Sequence, residues 1–130
     1  MHRTVQVLHS YWAYLVVAML LITTVNSVIK LVGKKEYHAK DFRMSLFTLI
    51  VVHTMFLIGL VLLLVPPVGL KAIKIDHPIT MIIVAVLVTI GYSKHKKKLV
   101  SSAKFKMIAI FYSIALLLCL SRIPWHLWFN

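Results

Sequence analysis

The sequence predicts an all-α integral membrane protein, a four-transmembrane-helix up-down bundle that occupies residues 1–130 as one domain. Three observations predict it. Apolar residues make up 61% of the chain and the mean hydropathy is +0.92, whereas soluble domains are nearer half apolar. The excess is gathered into four blocks rather than spread. All 15 Lys and Arg and all three acids lie in the connections or at block ends, which is the pattern of a membrane protein.

The first helix is predicted over about 5–29. Its basic start, His2-Arg3, resembles an export signal in outline. The run is too long for one, Tyr11, Trp12 and Tyr14 interrupt its first half, and no A-x-A-like site follows, so a retained span is expected. His9, Ala13, Val16, Leu20, Thr23, Thr24 and Ser27 share a small, polar stripe suited to helix contacts. The second helix, about 45–65, ends at Pro66-Pro67. It contains "LIVVHTMFLIGLVLLLV", in which His53 is the one ring nitrogen base among apolar neighbours. Leu46, Leu57, Leu60 and Leu64 share its stripe and are expected to pack, turning His53 into the bundle.

The third helix, about 76–92, opens on "DHP". Pro78 suits a first turn, and Asp76 sits at the positive end of the dipole. His77, Met81, Val84, Val88 and Gly91 form one stripe, with His77 and Met81 spaced i, i+4. The fourth, about 106–123, ends at Pro124. Each block approaches the roughly 17–25 residues a helical span requires. Helices satisfy their own backbone in lipid, and short connections make neighbours antiparallel. The lone cysteine, Cys119, excludes an internal disulfide and reads as a small buried apolar residue.

Charge sets the expected orientation. Eleven basic residues (Lys30, Lys34, Lys35, Lys40, Arg43 and six lysines from Lys94 to Lys106) lie in the first and third connections. Four, Arg3, Lys71, Lys74 and Arg122, lie on the other side. The positive-inside rule places the rich side in the cytoplasm and both termini outside. The net charge of +12 is then a cytoplasmic rim facing anionic lipid head groups. "KHKKK" is a turn without interleaved aromatics, so nucleic acid is not the expected partner. Glu36 and Asp41, set among lysines, read as solvated ion pairs. Trp12, Trp125 and Trp128 read as an outer aromatic belt, with His126 solvated beside it.

Histidine depth follows from the helix rise of 1.5 Å per residue. His9 and His77 come out at one level, roughly 12 Å outward of the midplane, and His53 lies near the midplane. His38 and His95 fall on the cytoplasmic side.

"LHSYW", "HTMFLIGLVLLL", "DHPITMIIVAVLVTIGYSK" and "KFKMIAIFYSIALLL" with "IPW" together resemble a family of small four-helix bacterial membrane proteins labelled cytochrome b-like. The resemblance covers nearly the whole chain. It implies histidines at His9, His53 and His77, an acid before the third, a bacterial inner-membrane location and b-type haem. Family members often carry an arginine soon after the first histidine; Tyr11, Trp12 and Ala13 stand there instead.

A b-type haem takes axial imidazoles from facing helices and a slot lined by small groups. Depth pairs His9 with His77 as the ligands. Ala13, Val16 and Val84 would leave the slot, and Met81 would be an alternative ligand or pack on the ring edge. His53 would serve a proton path, a quinone or a hydrogen bond. Two other readings compete. One is an accessory subunit of a larger membrane complex whose histidines are interhelical hydrogen bonders. The other is an outer-side copper or zinc site at His9, His77 and Met81, to which His126 could add a ligand. No carboxylate pair, phosphate loop or nucleophile triad appears, so independent catalysis is not expected.

Overall fold

A computed structural model of the chain describes residues 2–64 and 76–121. Its helices are α1 (His2–Val32), α2 (Ala39–Leu64), α3 (Asp76–Lys97) and α4 (Ser101–Ser121), with no strand among the described residues. All four are long and apolar enough to cross a membrane. The chain runs round the bundle in order. α1 packs on α2 and α4, and α3 packs on α4 and α2, leaving α1 and α3 on one diagonal. The α3–α4 seam is the most extensive of the four and α2–α3 the least. Pro66-Pro67, Lys71, Lys74, Arg122, Pro124, Trp125, His126 and Trp128 lie outside the described residues, as do the side chains of Arg3, Asp76, His77 and Pro78.

Each helix turns one stripe inward. On α4 it is Phe105, Ile108, Ala109, Tyr112, Ala115, Leu116 and Cys119. On α1 the expected stripe is buried from Val16 through Leu20, Thr23, Thr24 and Ser27. On α3 Val84, Val88 and Gly91 are buried. The α2 expectation fails. Its buried face is Asp41, Ser45, Thr48, Val51, Val52 and Met55. Leu57, Leu60 and Leu64, expected to pack inward with His53, are exposed. The reason is the solvent. Leucine gains nothing by leaving lipid tails for a protein interior, so on α2 the contacts are closed by Asp41, Ser45 and Thr48 with Val51, Val52 and Met55, while Leu57, Leu60 and Leu64 face out. Exposed Ile, Leu and Val cover the outer surface of all four helices.

The helices run past the expected limits at the lysine-rich end: α2 begins at Ala39, α3 continues to Lys97 and α4 begins at Ser101. Hydropathy marks what sits in lipid, whereas lysine is itself a good helix former. Lys94, Lys96 and Lys104 lay their ammonium groups over Phe111, Tyr92 and Tyr37 at 5.7, 5.4 and 5.1 Å.

Two helix ends are closed locally. α1 ends in a Schellman motif, with Lys35 N–H bonding the Lys30 carbonyl at 2.9 Å and Lys34 N–H the Leu31 carbonyl at 3.3 Å. Lys34 takes the left-handed position at φ 53° that glycine usually fills. α2 starts on half of a capping box: the third-position acid, Asp41, accepts the His38 N–H at 2.9 Å. Gly91 allows a close α3–α4 approach, for a Cβ there would lie 2.5 Å from Phe111 Cβ.

Candidate functional site

Three of the four expected cofactor residues have described side chains. His9 is half-buried near the start of α1. Met81 packs against the edge of the core. His53 is exposed on the α2–α3 seam. His77 enters only as backbone in the first turn of α3, at the same end of the bundle as His9 and on the diagonally opposite helix. Val16 and Val84, expected to border a slot, are instead buried in one cluster with Leu20, Val88 and Ala115. A ring held between α1 and α3 must therefore lie outward of them. Among the described residues no three His, Cys, Asp or Glu side chains stand together as metal ligands. Trp12, expected in an interfacial belt, turns inward instead. Its indole N–H donates to the Val51 carbonyl at 2.9 Å, and the ring packs against the core. A half-buried indole needs such an acceptor, and the Val51 carbonyl supplies it.

His53 bonds Thr89 on α3, Nε2 to Oγ1 at 2.7 Å. Residues 77 and 89 are twelve apart, roughly 18 Å along the helix, so His53 and His77 are at different depths. The Thr89 hydroxyl also bonds the Ala85 carbonyl at 2.7 Å. A carbonyl only accepts, so the one hydroxyl proton goes there, and Thr89 Oγ1 must accept from His53 Nε2–H. This fixes the tautomer and leaves Nδ1 as a lone-pair acceptor.

The densest polar constellation is at the other end. His95 is completely buried. A ring of Tyr37, Phe42 and Tyr92 surrounds it, with centroids 5.6, 6.1 and 5.1 Å away. Its Nδ1–H donates to the Tyr92 carbonyl, and its Nε2 accepts from the Tyr37 hydroxyl at 2.7 Å. Both nitrogens of a neutral imidazole are thereby used. Tyr37 also donates its backbone N–H to Ser101 Oγ at 2.9 Å, and Lys104 Nζ reaches the His95 carbonyl at 3.3 Å. One residue of the first connection thus clips the second one down. Burial pushes the Tyr37 phenol above its ordinary range, so it stays protonated and can donate.

Beside this clip, Asp41 is buried rather than solvated. It accepts from Lys30 Nζ at 2.7 Å, Asn26 Nδ2 at 2.9 Å and the His38 backbone. The ion pair forms because α1 delivers Lys30 to the first turn of α2, where the dipole also favours the acid. Further inward Thr23 and Thr48 share a 2.7 Å bond, and Tyr112 donates to the Ser45 carbonyl at 3.0 Å.

No known protein family, characterised protein or solved structure matches the chain. The site is read from its own chemistry. His95, Tyr37 and Asp41 are the residues that reading the sequence by lipid depth passed over. A signal for His95 existed: the stripe Val84, Val88, Gly91 continues at the same spacing to residue 95.

Proposed function

We propose that this chain is a small accessory subunit of a larger complex in the bacterial cytoplasmic membrane, with both termini outside and no catalysis of its own. One observation carries the reading. Polar side chains of different elements bond one another: His53 with Thr89, His95 with Tyr37, Thr23 with Thr48, and Asp41 with Asn26 and Lys30. Such bonds fix helix register, and each is worth about 0.6 kcal/mol in membranes, up to about 1.7. The aliphatic outer faces are suited to lipid or to neighbouring subunits, and the lysine-rich end to anionic head groups on the cytoplasmic side.

A second reading keeps b-type haem. His9 and the backbone of His77 stand at one end of diagonally opposed helices, the placement that ligation from two sides of a ring requires. When bound, haem would supply one-electron transfer; His9 and His77 would hold it, with Met81 beside them. A copper or zinc ion on the same residues is the remaining variant of this site.

Purification in mild detergent from haem-supplemented cells, with an optical spectrum and elemental analysis, separates the readings. The accessory reading expects no Soret band and no bound metal. A Soret band lost in His9→Ala or His77→Ala but kept in His53→Ala would replace it with the haem reading. Stoichiometric copper or zinc would replace it with the metal reading.

A further inference from the structure

We propose that the corner between α1 and α2 binds the headgroup of an aminophospholipid, a phosphate ester that carries a primary ammonium. The inference goes beyond the accessory role and needs only that α1 and α2 cross a membrane. An open cavity of about 390 Å³ at this corner is lined by Ile29, Lys30, Lys35, Glu36 and His38. Its volume is in the range of small-ligand sites. The backbone around it is fixed at both ends. Lys35 N–H bonds the Lys30 carbonyl at 2.9 Å on one side, and His38 N–H bonds Asp41 at 2.9 Å on the other. Lysine-rich corners at the ends of membrane helices sit at headgroup level.

The charges around the cavity select the ligand. Lys30 is already spent on Asp41 at 2.7 Å. Lys35 and Glu36 are exposed and do not pair with each other. The cavity therefore offers one cation, one anion and the exposed His38 ring. A phosphate suits Lys35 and an imidazole N–H, but a purely anionic headgroup sets its charge against Glu36. A quaternary ammonium meets the Glu36 charge and has no N–H to donate to it. A primary ammonium beside a phosphate meets both partners. The apolar wall makes the ligand a lipid rather than a free phosphate ester. Ile29 continues at helical spacing to Val25 and Ile22, all three exposed, so an apolar track leads from the cavity along the outer face of α1 toward the bilayer interior. An acyl chain can follow it. The general pull of a lysine-rich rim on anionic lipids needs neither the cavity nor the acid, and it favours the opposite lipid.

The test uses the whole chain, delipidated in mild detergent, and native mass spectrometry with phosphatidylethanolamine, phosphatidylcholine and phosphatidylglycerol of matched acyl chains. The expected result is saturable binding of phosphatidylethanolamine, about fivefold tighter than either other lipid, the ratio an exposed ion pair allows. Glu36→Gln should remove the preference over phosphatidylglycerol, and Lys35→Gln should weaken the binding of all three. Equal or tighter binding of phosphatidylglycerol by the wild type, equal binding of phosphatidylcholine, or a preference unchanged in Glu36→Gln would each overturn the proposal. Soluble phosphoethanolamine should compete poorly; competition as effective as that of the lipid would overturn the role of the Ile29 track. The wild-type comparisons decide without the variants, and none of these outcomes depends on whether the chain joins a larger complex.

Discussion

Gly91→Ala puts the α3–α4 seam to a quantitative test. The added methyl would meet Phe111 Cβ at 2.5 Å and Cγ at 3.1 Å. Carbon pairs sit best at about 3.5–4.0 Å, so relief takes roughly 1 Å of movement. A rotamer change cannot supply it, because Phe111 Cβ is fixed to the α4 backbone. The helices must part or shift, and neighbouring contacts along the most extensive seam loosen with them. Overpacking of this kind costs typically about 1–3 kcal/mol. Against it stands the gain from replacing a helical glycine by alanine, about 1 kcal/mol. The net expectation is a loss of up to about 2 kcal/mol, measured as a shift in the SDS-unfolding midpoint of detergent-solubilised protein. Trimming the ring with Phe111→Ala should not rescue it, since the Cβ remains, whereas Phe111→Gly in the Gly91→Ala background should recover part of the loss relative to Phe111→Gly alone. Stabilisation by Gly91→Ala, in the amount helix propensity alone allows, would show that the two backbones are not in close approach.

Three further tests address the lysine-rich end. Tyr37→Phe removes the donor to His95 Nε2 and leaves a buried acceptor unpaired; unfolding should show a loss of about 1–3 kcal/mol, and an unchanged midpoint would remove the clip from the account. Lys34→Gly should stabilise by about 0.5–1 kcal/mol by relieving the left-handed backbone, and a lowered melting temperature would contradict the Schellman geometry. A cysteine at Ser102 in a Cys119→Ser background should resist an impermeant thiol reagent applied to intact cells; ready labelling would reverse the proposed orientation.

The fold was legible because lipid imposes a coarse rule. Long apolar runs between lysine clusters have few ways to satisfy their backbone, and the four helices appear where the runs are. The stripes of α1 and α3 were legible too, since Val16, Leu20, Thr23, Val84 and Val88 keep one face at helical spacing. Polar contacts were less so. His53 looked inward because leucines were credited with packing, yet Val52 and Met55, one position before it and two after, take the inner face and leave His53 at the edge. Asp41 looked solvated because its neighbours in sequence are charged. Its partners Asn26 and Lys30 arrive from the preceding helix, a long-range fact that no local window holds. Trp12 looked like a belt residue because tryptophan frequency near interfaces says nothing about which way the indole turns.

The placement of the polar bonds bears on biogenesis. Thr23–Thr48, Asn26–Asp41 and Lys30–Asp41 all join α1 to α2. They can close as soon as the first helical hairpin leaves the insertion machinery, so its acid never meets lipid unpaired. Tyr37–His95, Tyr37–Ser101 and Tyr112–Ser45 all join that hairpin to the later one. The donors of the first two pairs and the acceptor of the third wait on the early half for partners made afterwards. The polar bonds thus carry an order of assembly: a first hairpin that pairs its own acid, then a second one captured at the lysine-rich end.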